Sequence, residues 1–355
     1  MQPNIKMPCQ FVLQIVGITE GQIQKRPSLS HPTISELSDV IITNHNNNDI
    51  SGNTSNEMGK AVLAYTPSES CDGLSDTGSN VLVAPCPPDE DEDELIIEKI
   101  GSNNPFTHCV FLSIFKEKEL DENGNVTKIP SKKKKRIYKK TENDDDDDDE
   151  FDCEDNYQCI AINPKLGNEI TESLIEKRLI TLLPPVKTYR RNVPMYLEDK
   201  VDSVFSFMGF CEDNIPFIID VNNVPFAEYK HGERRHEDGP GSPPTGSIKN
   251  KHFTKTAYFP GKECDNTDEM IKRINDIITI KRESITRCYI AYIIQRTDIS
   301  HFEISKYNPE YQDIIKKAIN VGVHIIPIVI SWTNEGVALF VTDNLPFLSP
   351  LKNFK

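Results

Sequence analysis

Residues 204–229 read VFSFMGFCEDNIPFIIDVNNVPFAEY. Two apolar runs, Val204 to Phe210 and Phe217 to Val221, flank the polar turn CEDNIP, so the stretch predicts a β-hairpin. Along the second strand successive side chains alternate between faces. Asp220 and Asn222 therefore share one side, while Ile219 and Val221 share the other. A carboxylate and a second polar group on one face at a strand end is a common way to build a metal site. Here the second group is an amide.

Downstream of the hairpin the pattern is α/β. A helix is predicted over 267–279, with Asn266 as its cap, Glu269 at the capping-box position, and Met270, Ile271, Ile274, Ile277 and Ile278 as its apolar face. Cys288 to Ile294 reads as a strand. A helix then starts at Asn308-Pro309, a cap followed by a first-turn proline, and stops near Gly322. Val323 to Ser331 is the next strand. Strand, helix and nearly continuous apolar strand predict a βαβ crossover, hence a parallel pair buried on both faces.

Upstream, Cys9 to Ile18, Ala61 to Tyr65, Asn80 to Ala84 and His108 to Phe115 read as short strands of a small β-barrel or sandwich. Tyr157 to Ile162 is another strand, leading into NEITESLIEKRLITLL, whose apolar residues at 170, 174, 175 and 179 have helical spacing. Three stretches carry no periodic apolar positions and read as loop-like insertions: residues 24–58, residues 116–156 and residues 231–252.

The 355 residues leave room for two domains. A hydrophobic fraction of 37% fits folded parts diluted by polar insertions. The net charge of −15 argues at first against nucleic acid, which needs a positive surface. Thirteen acidic residues, however, sit in two tracts, Asp89 to Glu94 and Asp144 to Glu150. Without them 42 acidic residues face 40 basic ones, so the rest of the chain is near neutral. Nine cysteines without a C-x-x-C pair exclude a zinc ribbon and a thioredoxin-type motif. An odd count with no secretory signal fits a reducing compartment. With no run approaching about 18 apolar residues, the expectation is an intracellular protein, cytoplasmic or nuclear, with no signal peptide, transmembrane segment or membrane partner.

Several segments together resemble the sugar fermentation stimulation protein A family. They are AYTPSESCDGLSDTGSNVLV, YQCIAINPKLGNEITESLI with Asn163 and Asn168 kept, SVFSFMGFCEDNIPFIIDVNNVPFAE without a gap, AYFPGKECDNTDEMIKRINDI, and the closing stretch from ITRCYIAYIIQRTD to the strand ending near Leu339. The resemblance implies an OB-like β-barrel over residues 5–115, interrupted at about 24–58. A charged low-complexity insertion over 116–156 follows, and then a PD-(D/E)xK nuclease-like α/β domain with a mixed sheet over 157–355, carrying a loop insertion at about 231–252. It also implies DNA binding, with RNA as an open alternative.

In such a nuclease site two carboxylates hold Mg²⁺, and a lysine neutralises charge at the attacked phosphate. Carried over residue by residue, the family's Arg-hydrophobic-Asp-Phe stretch falls on Val204, Phe205, Ser206 and Phe207. The first metal-binding Asp is thus Ser206, the second carboxylate is Asp220, and the lysine is Asn222. Basic residues expected near the start of the next helix fall on Asn266, Glu269 and Met270. The resemblance therefore implies a degenerate, inactive site, with no cofactor. Mg²⁺ enters only if residues have migrated: Glu198 or Glu228 toward the metal beside Asp220, and Lys230 or Lys262 as the cation.

Three function classes follow. The first is a nucleic-acid-binding protein with a dead nuclease-like site. The second is a divergent Mg²⁺-dependent nuclease with relocated residues, and the third is a scaffold that recruits protein partners through its acidic insertions. The run Lys132, Lys133, Lys134, Lys135, Arg136 reads as a nuclear-localisation signal or DNA-contacting arm, or as a solvated loop neutralised by Asp144 to Asp149. Phe11, Tyr65 and Phe106 are the candidate stacking aromatics of the barrel, with a core role as the alternative.

Overall fold

The computed structural model describes residues 10–44, 58–67, 73–85, 106–116, 157–197, 200–229, 255–262, 264 and 266–348. Within it the hairpin of the opening stretch is β9 (Lys200–Cys211) and β10 (Pro216–Val224), antiparallel with Phe217 opposite Gly209 and Ile219 opposite Phe207. The crossover is present too. Strand β13 (Arg287–Ile294) and β15 (His324–Trp332) pair in parallel from Tyr289 opposite His324, joined through α3 (Pro309–Asn320). Asn308 caps that helix, its side-chain oxygen accepting from Tyr311 N at 3.0 Å. Gly322 closes the exit with φ of 91°, a left-handed geometry glycine adopts without a Cβ penalty.

These strands lie in a seven-stranded mixed sheet of order β1-β16-β15-β13-β10-β9-β8, completed by β1 (Gln10–Gln14), β8 (Val186–Leu197) and β16 (Val337–Thr342). Strand β13 is central and buried on both faces. Tyr289, Ala291 and Ile293 join one apolar core with helix α1 (Lys165–Glu176), and Cys288, Ile290, Tyr292 and Ile294 join a second core with α2 (Thr267–Glu283) and α3. The predicted cap of α2 does not form, since Asn266 makes no side-chain cap hydrogen bond. The helix persists because Met270, Ile274, Ile277 and Ile278 are buried. Each such burial contributes about 1.5–3 kcal/mol, against about 1 kcal/mol for a cap. A second, four-stranded sheet of order β11-β12-β14-β17, comprising β11 (Ala227–Tyr229), β12 (Lys255–Phe259), β14 (Ile299–Ile304) and β17 (Phe347–Leu348), packs in the same core.

The N-terminal strands form a closed five-stranded barrel. Antiparallel pairing runs β4-β3-β2-β5-β6, through β4 (Ala61–Tyr65), β3 (Leu37–Asn44), β2 (Thr19–Lys25), β5 (Asn80–Pro85) and β6 (His108–Lys116). Parallel pairing of β4 with β6 at Ala64 opposite His108 closes it. Ile23, Val40, Ile42, Val62, Val81, Val83 and Val110 fill the interior. The alternate residues Leu82, Ala84 and Leu112 point outward into the core shared with α1 and the large sheet, which welds the two halves.

Two expectations need correcting. The strand expected from Cys9 to Ile18 does not enter the barrel. Its described part, β1, pairs with β16 at the edge of the large sheet, Gln10 opposite Phe340, because Val12 and Ile15 belong to the core beside α1. The stretch 24–58 is not loop alone, for β3 lies inside it as a full barrel strand, with Leu37, Val40 and Ile42 buried among serines and asparagines. The insertions 116–156 and 231–252 lie outside the described residues, apart from Lys116. Among the described cysteines Cys159, Cys211, Cys264 and Cys288 are free. Among the described residues no helix is long and apolar enough to cross a membrane.

Candidate functional site

The β9–β10 ladder ends at Ile219 opposite Phe207, and the two strands part there. At that point Val221 N donates to Ser206 Oγ at 3.1 Å, so a side chain replaces the next ladder bond. Opening the pair exposes the C-terminal half of β10 to a cleft of about 360 Å³. Ser206, Asp220 and Asn222 all line it, together with Asn223, Asn192 and Asn168, and with Asn266, Glu269, Met270 and Arg273 from the start of α2. Asp220 and Asn222 occupy the face of β10 turned toward the helices, alongside Ile218 and Val224, as the period of two requires.

Asp220 is 3% exposed and faces Arg273, whose Nε lies 3.3 Å from Asp220 Oδ1. The Asn222 amide is a long 3.5 Å from Asp220 Oδ2. Burial pushes the Asp220 carboxyl above the usual carboxylate value, with Arg273 and the Asn222 amide holding it back in part. Behind it the hydroxyls of Tyr292 and Tyr311 meet at 2.8 Å in the core, and burial raises both phenols.

A carboxylate whose pKa is raised by folding stabilises the protein below its unfolded value and loses that contribution as pH climbs through the folded one. Charging Asp220 in the folded protein therefore costs stability. Relative to Asp220→Asn, which does not titrate, the wild type is expected to gain stability as pH falls toward the ordinary value of 3.8. Urea midpoints of both proteins from pH 7 downward test this; a difference between them that does not change with pH would contradict it.

The residues do not fit a divalent cation. Such an ion wants several oxygen ligands, anionic ones first. The cleft offers one buried carboxylate already facing a guanidinium, a serine hydroxyl engaged with a backbone N–H, and amides. Glu269 is a second carboxylate but is exposed at the mouth. Among the described residues no group of three or more His, Cys, Asp or Glu could hold a metal.

The other sequence candidates fall elsewhere. Glu198, Lys230 and the run Lys132 to Arg136 lie outside the described residues. Glu228 is buried at a separate cluster, accepting from Lys306 Nζ at 2.6 Å and Tyr307 OH at 2.8 Å. Burial pushes its carboxyl up, but these donors outweigh that and hold it below the usual range. Lys262 sits over the Tyr307 ring at 5.0 Å from its centre and does not line the cleft. Phe106 is buried against Tyr65, centroids 5.8 Å apart, and Phe11 is exposed on β1 rather than on the barrel, beneath Lys177 Nζ at 4.7 Å. Sequence reasoning missed Arg273. Its signal was helical spacing, since position 273 lies one turn beyond Glu269 on the same face.

Residues 247–336 match the family model described as the sugar fermentation stimulation protein RE domain. A sugar fermentation stimulation protein homolog of Synechococcus sp. (strain CC9311) is 22% identical over 193 residues, 53% of this chain and 65% of that relative, so the match spans just under two thirds of the relative's length. The fold is similar to the solved structure titled as Pyrococcus furiosus SfsA in complex with Ca²⁺, with a TM-score of 0.57 and 13% identity, covering 95% of this chain and 99% of that one.

Proposed function

Because the chain belongs to the sugar fermentation stimulation protein family, we infer that it binds nucleic acid, DNA foremost, on a nuclease-like scaffold that does not cut. One observation carries this reading: the carboxylate at the centre of the cleft faces Arg273 at 3.3 Å instead of partnering a second buried acid. With Ser206 and Asn222 in place of a carboxylate and a lysine, the cleft keeps one buried carboxylate, already engaged by Arg273, and no lysine lines it among the described residues. Losing one such electrostatic group alone costs roughly 10²-fold or more in rate. The solved structure that this fold resembles is titled as a Ca²⁺ complex; in this chain the one buried carboxylate of the cleft is already engaged by Arg273. The polar character of the cleft instead supports recognition of a phosphate backbone, which binds through guanidinium and amide donors.

The test is anisotropy of end-labelled single- and double-stranded DNA and of RNA with the full chain at about 50 and about 200 mM salt, with Mg²⁺ present, followed by a denaturing gel. The expected result is binding that weakens at least about tenfold between those salts and DNA that stays intact. Mg²⁺-dependent strand loss, abolished in Asp220→Ala, would instead establish a working nuclease. That reading has one observation in its favour, the presence of Glu269 at the same cleft. Absence of binding at both salts would reject nucleic acid as the ligand.

A further inference from the structure

We propose that the cleft is a metal-independent phosphate clamp, in which Arg273 takes the place of the divalent cation and grips one phosphodiester of the bound strand. The inference rests on the nucleic-acid-binding reading and adds the residue that makes the contact. Arg273 reaches the cleft from the second turn of α2, and its Nε is buried at 3.3 Å from Asp220 without meeting hydrogen-bond geometry. The two terminal nitrogens have no hydrogen bond or further ion pair among the described residues. The side chain is 29% exposed and lines the cleft, so a charged fork stands at a solvent-filled opening, steered by a carboxylate at its rear edge.

A guanidinium presents its donors in a plane that matches two oxygens of a phosphate, and it needs no dehydration step of the kind a metal demands. Asp220 acts here as a positioning residue. It keeps the arginine inside the cleft and leaves the outward nitrogens for the ligand. Asn222 and Asn192 add neutral donors and acceptors around the same opening. The volume of about 360 Å³ falls within the range of small-ligand sites, about 300–1,000 Å³. Glu269 opposes a phosphate at the mouth and makes the clamp weaker than its arginine alone would be.

The experiment measures anisotropy of a labelled oligonucleotide, single-stranded and duplex, with full-length wild type and the variants Arg273→Ala, Arg273→Lys, Asp220→Asn and Glu269→Gln, in EDTA and in Ca²⁺. Circular dichroism confirms that each is folded. Wild-type binding is expected to be the same in EDTA as in Ca²⁺. Arg273→Ala should weaken it roughly tenfold and reduce the salt slope by about one, with Arg273→Lys between the two. Asp220→Asn should bind more weakly although it removes a negative charge from the cleft, a divergence that charge repulsion alone does not produce. Glu269→Gln should bind more tightly. If a folded Arg273→Ala binds like wild type with an unchanged slope, the clamp is overturned while nucleic-acid binding stands. The same holds if EDTA abolishes wild-type binding. If wild type binds no oligonucleotide at all, the functional reading itself fails and the clamp with it.

Discussion

Gly209→Ala is expected to destabilise the protein by more than about 4 kcal/mol, the range reached only when a specific feature of the fold is broken. Gly209 faces Tyr189 across the β8–β9 pair. A Cβ at this position would lie 2.0 Å from the Thr188 carbonyl oxygen and 2.8 Å from Tyr189 Cα. Ordinary overpacking costs about 1–3 kcal/mol because side chains can yield. Here the obstacles are backbone atoms of a paired strand, so relief requires the two strands to separate. The consequence reaches the cleft, because Gly209 is three residues from Ser206, where β9 and β10 part. The variant should unfold at a much lower urea concentration and lose the anisotropy signal together with its fold. A midpoint within experimental error of wild type would show that the close approach is not a feature of the protein in solution.

The second large effect is expected at Gln295. This residue is fully buried just beyond β13 and bridges two elements, accepting from Trp332 Nε1 at 2.7 Å and donating to Asn223 Oδ1 at 2.6 Å. Gln295→Leu keeps the volume but leaves the indole N–H buried without an acceptor. Asn223 lines the cleft and can turn to water, so most of the cost falls on the tryptophan, about 1–3 kcal/mol for an orphaned buried donor. The bridge also ties the end of β10 to β15, so the expected loss is near the upper end of that range. A double variant with Trp332→Phe provides the control. Removing both partners leaves no orphan, and part of the lost stability should return. If the double variant shows the sum of the two single losses, the bridge is not what Gln295 contributes.

The alternation in FIIDVNN was enough to place Asp220 and Asn222 together, and it did so without any partner strand in view. The apolar spacing around Ile274 and Ile278, and the Asn308-Pro309 start of α3, likewise announced their helices. Other elements escaped for definable reasons. Strand β3 buries Leu37, Ser38, Val40 and Ile42; positions 38, 40 and 42 alternate, but one of them is a serine, and the strand has a register shift against β2 and is surrounded by serine and asparagine. Its strand character is supplied by neighbours on both sides, Val40 opposite Val62 and opposite Ile23. Strand β1 reads like a barrel strand because its local pattern is the same whichever sheet it joins. The choice is made by Val12 and Ile15, which bury against α1 and β16 some distance along the chain.

The sequence by itself therefore determined the elements with strong local periods, the hairpin and crossover they form, and the shared face of Asp220 and Asn222. Only the tertiary structure decided that Arg273 faces Asp220. The two residues are 53 positions apart, and their meeting depends on how far α2 descends over β10, which is set by the burial of Met270, Ile274, Ile277 and Ile278 against the sheet. Periodicity is a property of neighbours in the chain. The sign of the charge that fills a cleft is a property of surfaces brought together by apolar burial, which acts on total area and carries no record of which polar groups it will set face to face.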